Sequence, residues 1–198
     1  MRGQRTGEEP IAVGAEKTRH CLREFWAWYA SDLLNNTLRG AYCEFFVAAA
    51  VGADLSGVHD DWAAFDVLFE GIRIEVKSAS YLQAWEQKKP SDIRFSIRPA
   101  RAWEPLGGYG EEVVRHADVY VFCLFLEKDR EKADPLQMEQ WVFYVLPAER
   151  INEACGAQKS ISLRSLLRLN PARADYFGLK NVILAAAPSK NENKGSSV

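Results

Sequence analysis

Apolar and polar positions alternate most cleanly between Phe65 and Lys77, read F-D-V-L-F-E-G-I-R-I-E-V-K. Val67 and Phe69 on one side of Glu70-Gly71, and Ile72, Ile74 and Val76 on the other, are two short period-two runs. That pattern predicts a β-hairpin with one apolar face. With Glu70-Gly71 as a two-residue loop, Phe69 pairs with Ile72 and Asp66 stands opposite Glu75. The two acids then share a face, their Cβ atoms about 5 Å apart, and Lys77 points the same way. Glu-Gly is a poor fit for such a loop, because a type I′ turn asks for positive φ at both positions. A slip of one residue sends Asp66 to the other face.

Before the hairpin the period is helical. Leu22, Phe25, Trp26, Tyr29 and Leu33 recur at three- and four-residue steps and predict a helix from about Ala15. Asn35-Asn36-Thr37 interrupts it, with Thr37 as N-cap of a second helix that buries Leu38, Ala41, Tyr42, Phe45 and Ala49 and ends near Gly52. Glu44 lies off that stripe, beside Thr37, Gly40 and Ala48, and taken alone reads as an ordinary exposed glutamate. Asp54 to Trp62 reads as a polar connection.

After the hairpin, Ser80 and Gln83 have the spacing of a capping box that opens a short helix. A phosphate or lysine contact is an equal reading for Gln83. Ile93, Phe95 and Ile97 alternate with Arg94, Ser96 and Arg98, which predicts a half-buried strand. Gly107-Gly108-Tyr109-Gly110 marks a loop without phosphate-cradling spacing. The run from Ala117 to Leu126 is apolar enough for a central strand covered on both faces. Trp141 to Leu146 is the next strand, antiparallel to it, with His116 and Asp118 as local caps at the start of the central strand. Short helices follow from Pro147 to Ala154 and from Ser162 to Leu169, and Phe177 to Ala187 fits helix or strand. The layout expected is a loose arm through residue 14, one domain over 15–187 and a disordered tail over 188–198.

Composition narrows the function little. The 198 residues are 47% hydrophobic and 26% charged, ordinary values for a globular chain. A net charge of −2 rules out a surface that is basic throughout. The segment from Lys88 to Arg101 is the exception, with five basic side chains (Lys88, Lys89, Arg94, Arg98, Arg101) and one acid, Asp92. Such a patch suits phosphate contacts, although charges also guard strand edges. Four cysteines without C-x-x-C spacing argue against structural zinc or a disulfide framework. With no signal-peptide core and no bilayer-length apolar run, the expected setting is the cytoplasm, without membrane contact. No organic-cofactor signature is present.

The candidate chemistry sits on the hairpin. Two carboxylates at that separation repel by about 3 kcal/mol at an effective dielectric near 20. A hard, oxygen-loving cation between them removes the problem, and Lys77 could then handle a metal-bound water. Arg73, Glu75 and Lys77 also fit a solvated face of alternating charge, so the short motif decides nothing alone.

The order of parts does more. A helix with Glu44, a strand with Asp66, a strand with Glu75-Val76-Lys77, a helix and further strands resemble the core of the PD-(D/E)XK nuclease superfamily. That group includes restriction endonucleases and archaeal Holliday-junction resolvases. The likeness is close from Thr37 to Gln87 and loose beyond. I-E-V-K-S followed by a capped helix looks like the E-x-K strand of the resolvase-like branch, and the stretch is similar to a set of uncharacterised bacterial proteins. Phe65 stands where the superfamily pattern has proline. Gln87, four residues after Gln83, takes the place of the tyrosine of the exonuclease branch, which argues against that branch.

The resemblance implies an α/β fold with a restriction-endonuclease-like mixed central sheet flanked by helices. It implies metal-dependent cleavage of DNA by a homodimer. Asp66, Glu75 and the Val76 main-chain carbonyl would hold Mg²⁺, with Mn²⁺ as a substitute, and Glu44 would hold it through water. Lys77 would orient or deprotonate the attacking water, and Gln83 and Ser78 would support the site or the phosphate. The alternative is a nuclease-fold module that grips nucleic acid or a protein partner without cutting.

Overall fold

The computed structural model describes residues 3–104 and 108–188. Gly107 of the glycine loop and nearly all of the expected tail lie outside them. The chain opens with two paired strands, β1 (Pro10–Val13) and β2 (Glu16–Cys21), and helix α1 (Leu22–Ala30). The helix thus begins later than the periodicity suggests. Gly14, at φ 60°, turns the hairpin, and E-K-T-R-H has no apolar stripe to pack as a helix.

Helix α2 (Asn36–Val51) is capped by Asn35, not Thr37: Asn35 Oδ1 accepts from the N–H groups of Thr37 and Leu38 at 3.0 and 3.3 Å. Gly52 closes it in the left-handed conformation at φ 81°, as the sequence suggests. Its buried face is Arg39, Cys43, Phe46, Val47, Ala48 and Val51. Ala41 and Phe45 of the expected stripe are exposed. The true stripe is turned by about one residue, because Phe46-Val47 outcompetes Phe45 for the sheet.

Strands β3 (Val67–Phe69) and β4 (Ile72–Ser80) form the expected hairpin in the expected register, with Val67, Leu68 and Phe69 paired to Ile74, Arg73 and Ile72. Glu70 and Gly71 both adopt positive φ, 50° and 84°, so the turn has the type I′ signs despite its glutamate.

No helix follows β4. Ser80 is the last residue of the strand, and its Oγ accepts from Leu82 N–H at 3.1 Å. The Gln83 amide donates back to Ser80 O at 3.1 Å. These local bonds satisfy the groups that a capping box uses, so the chain turns instead of coiling.

Strand β5 (Arg94–Ser96) follows, then β6 (Trp103–Glu104), β7 (Gly108–Tyr109), β8 (Val119–Phe125) and β9 (Trp141–Pro147). The last third holds α3 (Ala148–Cys155), β10 (Ser160–Ser162), α4 (Leu163–Arg168), β11 (Ala172–Ala174) and α5 (Leu179–Ala186). The segment expected as helix or strand over Phe177 to Ala187 resolves as helix α5. Among the described residues no helix is long and apolar enough to cross a membrane.

The main sheet has the order β11-β9-β8-β4-β3. The β4–β8 pair is parallel and the other pairs are antiparallel. Every residue of β8 is buried, as a central strand requires. Arg73 and Asp118 lock the parallel pair at its start: Asp118 Oδ1 accepts from Arg73 Nη2 at 2.6 Å, and Oδ2 accepts from Arg73 N–H at 2.9 Å. Asp118 is therefore a cross-strand clamp, while His116 bonds Ala100 O at 3.0 Å.

One face of the sheet packs on α2 and α5 through Phe46, Val47, Ile74, Val76, Phe143 and Ile183. The other packs on α3, α4 and the β5–β10 pair through Phe95, Tyr120, Phe122, Ile151 and Leu166. This α/β architecture, a mixed central sheet flanked by helices, is compatible with a restriction-endonuclease-like fold.

Candidate active site

The alternation of β4 places the site. Ile74 and Val76 turn into the α2 core, so Glu75 and Lys77 point the other way. In the parallel ladder they stand beside Tyr120 and Phe122 of β8. Val67 and Phe69 anchor β3 in the same core, which leaves Asp66 just ahead of the strand. The regular pairing ends at Val67: Asp66 N–H donates to Ile74 O at 3.0 Å, so Asp66 does not stand in the ladder opposite Glu75 as expected. The Asp66 carboxylate folds over the strand, and Oδ2 accepts from Val76 N–H at 2.6 Å.

Lys77 joins the two acids. Its Nζ lies 2.6 Å from Glu75 Oε1 and 3.7 Å from Asp66 Oδ2. Helix α2 brings Glu44 to the same region, where its Oε2 lies 2.6 Å from His59 Nε2. The other nitrogen of that ring, Nδ1, lies 3.1 Å from Asp61 Oδ1. Glu44, His59 and Asp66 line a cavity of about 520 Å³ whose other walls include Phe45, Phe65 and Leu68.

Glu75 and Asp66 therefore gather at one ammonium, and Glu44 and Asp61 at one imidazole. Burial pushes the Glu75 carboxyl above its usual range; Lys77 pulls it back and Asp66 adds to the rise. Burial likewise raises Glu44, with Asp66 reinforcing and His59 opposing. For Lys77 burial acts downward, but Asp66 and Glu75 outweigh it and hold the ammonium above its ordinary value. Tyr120 is raised by burial and by the Glu75 charge beside it.

A family model described as Bacteriophage T4 endonuclease IV matches residues 16–165. The chain belongs to this family. Membership points to DNA endonuclease activity, hence to a hydrolase acting on phosphodiester bonds. Comparison with curated proteins gives no match. The family match spans α2, the β3–β4 hairpin and β8, and so includes Glu44, His59, Asp66, Glu75 and Lys77.

Other expected residues lie elsewhere. Ser78 and Gln83 line a separate cavity with Arg94, and Lys88, Lys89, Arg98 and Arg101 are exposed. His59 is the residue that the sequence reading passes over. It lies in a connection read only as polar, and a single histidine among aspartates carries no periodic signal.

The donor set suits a hard cation. Among the described residues no three His, Cys, Asp or Glu side chains form a ready ligand cage. Mg²⁺ needs none, since it commonly takes one or two carboxylates and keeps its waters. Asp66 and Glu75, with a third carboxylate on α2, are oxygen donors of the kind such an ion takes.

Proposed function

We propose that this chain is a divalent-metal-dependent DNA endonuclease of the PD-(D/E)XK type, nearest the Holliday-junction-resolvase-like branch. The observation that carries the reading is the Lys77 ammonium seated between Glu75 and Asp66. Asp66, Glu75 and the Val76 carbonyl would hold Mg²⁺, or Mn²⁺ in its place, and Glu44 would hold it through a water. Bound there, the cation supplies polarisation of the scissile phosphate and a lower pKa for its water.

The protein groups do the remaining work. Lys77 enters as a cation; it orients the attacking water and neutralises charge developing on the phosphate. Glu44 accepts hydrogen bonds from water on the helix side, with its carboxylate steadied by His59. Tyr120 and Phe122 wall the sheet side and keep the local dielectric low. Lys88, Lys89, Arg94, Arg98 and Arg101 grip the DNA backbone, and Ser78 and Gln83 support the strand nearby. One such site cuts one strand, so cleavage of a duplex calls for a homodimer.

A second reading is a module that grips DNA or a protein partner without cutting. It draws on Lys77 itself, which already gives the acid pair a counter-charge. The test is incubation with supercoiled, linear, single-stranded and four-way-junction DNA, with Mg²⁺, Mn²⁺ or EDTA. Metal-dependent cutting of any of them supports the endonuclease. Binding without cutting under every metal condition supports the module.

A further inference from the structure

A second cavity, of about 400 Å³, is lined by Asn36 and Arg39 of α2, Ser78 to Ser80 of β4, and residues of the loop leading to β5, among them Gln83, Trp85 and Ser91. Among the described residues, two buried side-chain polar atoms lack a hydrogen-bond partner: Arg39 Nε and Gln83 Oε1. Both side chains are among those that line this one cavity.

Arg39 is only 4% exposed. Its Nη1 donates to Leu34 O at 2.9 Å and its Nη2 to Asn36 Oδ1 at 2.6 Å, both neutral acceptors. Burial pushes its pKa down, only the Cys43 thiol opposes that, and no carboxylate contributes. Arginine nonetheless stays protonated in proteins, so the fold carries a buried cation without a counter-anion. Such a charge is strongly unfavourable until it is paired.

Gln83, 8% exposed, presents the opposite need. Its Nε2 donates to Ser80 O at 3.1 Å and to Ser91 Oγ at 3.2 Å. A carbonyl only accepts, so Ser80 fixes which end of the amide is nitrogen. Oε1 is left as an acceptor in need of a donor.

A ligand that suits both carries a negative charge for Arg39 and a hydrogen-bond donor for Gln83, such as the N–H of a base. Trp85, largely exposed, adds a ring on which a base can stack. Arg94 adds a second positive charge to the lining, against Asp92 as its only acid. Arg39 precedes Glu44 by five residues, which is about 7.5 Å along α2.

We infer that this cavity holds one nucleotide of the DNA strand beside the cleavage centre, with its phosphate on Arg39 and a base N–H on Gln83 Oε1. The nature of the ligand rests on the endonuclease reading; the need for an anion and a donor rests on the cavity alone.

The test is oligonucleotide binding in EDTA, read by fluorescence anisotropy across a salt series. Arg39→Met should weaken every single-stranded oligonucleotide at least about tenfold and make the log–log salt slope shallower by about 0.7. Its melting temperature should be unchanged or higher, because a lone buried charge is gone. Gln83→Leu should leave the slope alone and flatten preference among homopolymers. Unchanged affinity and slope in Arg39→Met overturn the inference.

If Arg39→Met fails to fold, proton–nitrogen correlation NMR on the unmodified protein decides. Deoxynucleoside monophosphates should shift both the Arg39 Hε and the Gln83 amide signals, and inorganic phosphate only the first. No shift of either overturns the inference. None of these readings depends on cleavage. A protein that binds here and never cuts loses the catalytic reading alone, and one that cuts without these signatures loses only this inference.

Discussion

Lys77 meets Glu75 at 2.6 Å between Nζ and Oε1, two residues apart on one face of β4. This contact keeps a pair of half-buried carboxylates compatible with the fold in the absence of metal. Removing the ammonium leaves Glu75 and Asp66 to repel each other in a partly dehydrated corner. We expect Lys77→Met to lower the stability of the metal-free protein by about 1–3 kcal/mol, measured by urea unfolding in EDTA at neutral pH. Added Mg²⁺ should recover most of the loss. Unchanged stability would mean that Lys77 is not the counter-charge of the pair.

Glu75 and Glu44 are both held above their usual values by burial and by Asp66. The native state therefore binds their protons more tightly than the unfolded chain does. In EDTA, stability should fall as pH rises from the unfolded carboxyl range through these raised values. Lys77 has the same sign at the alkaline end: its contribution is present below the unfolded lysine value and lost as pH climbs through its raised folded value. A metal that binds the ionised carboxylates releases their protons. The rise in melting temperature given by Mg²⁺ should thus grow from pH 5 to pH 8. A rise independent of pH would contradict these assignments.

His59 opposes the upward shift of Glu44 from 2.6 Å. In His59→Ala the Glu44 carboxyl should titrate higher still. The acid limb of the pH–rate profile for cleavage should then move toward neutral pH, with the plateau reduced less than about tenfold. An acid limb that stays in place would separate Glu44 from the chemistry.

The hairpin turn carries strain that can be relieved. Glu70 sits at φ 50°, where an ordinary side chain costs about 1–2 kcal/mol and asparagine less. Glu70→Asn should raise stability by about 0.5–1 kcal/mol and leave cleavage unchanged. A loss of activity would show that the turn does more than set the register.

The register from Val67 to Ile74, and the shared face of Glu75 and Lys77, were readable because the strands alternate strictly and the turn has only two residues. The place of Asp66 was not, because it leaves the ladder and is fixed by its bond from Val76 N–H. The central strand was readable from its unbroken apolar run. The α2 stripe was not, because Phe45 and Phe46 are equally apolar and only the sheet chooses between them. The apparent capping box at Ser80 and Gln83 misled because the same side chains can serve a strand end. His59 and Arg39 were invisible for a related reason: a histidine in a polar loop and an arginine on a helix gain meaning only from what the fold sets beside them.

The measurement that tests the central claim most directly is Mg²⁺-dependent cleavage by the protein beside Glu75→Gln and Lys77→Met, each first shown to be folded. The account predicts cutting that EDTA abolishes and that each substitution reduces by at least about a hundredfold. Cutting at the unmodified rate by either folded variant would contradict it and move the active site away from β4.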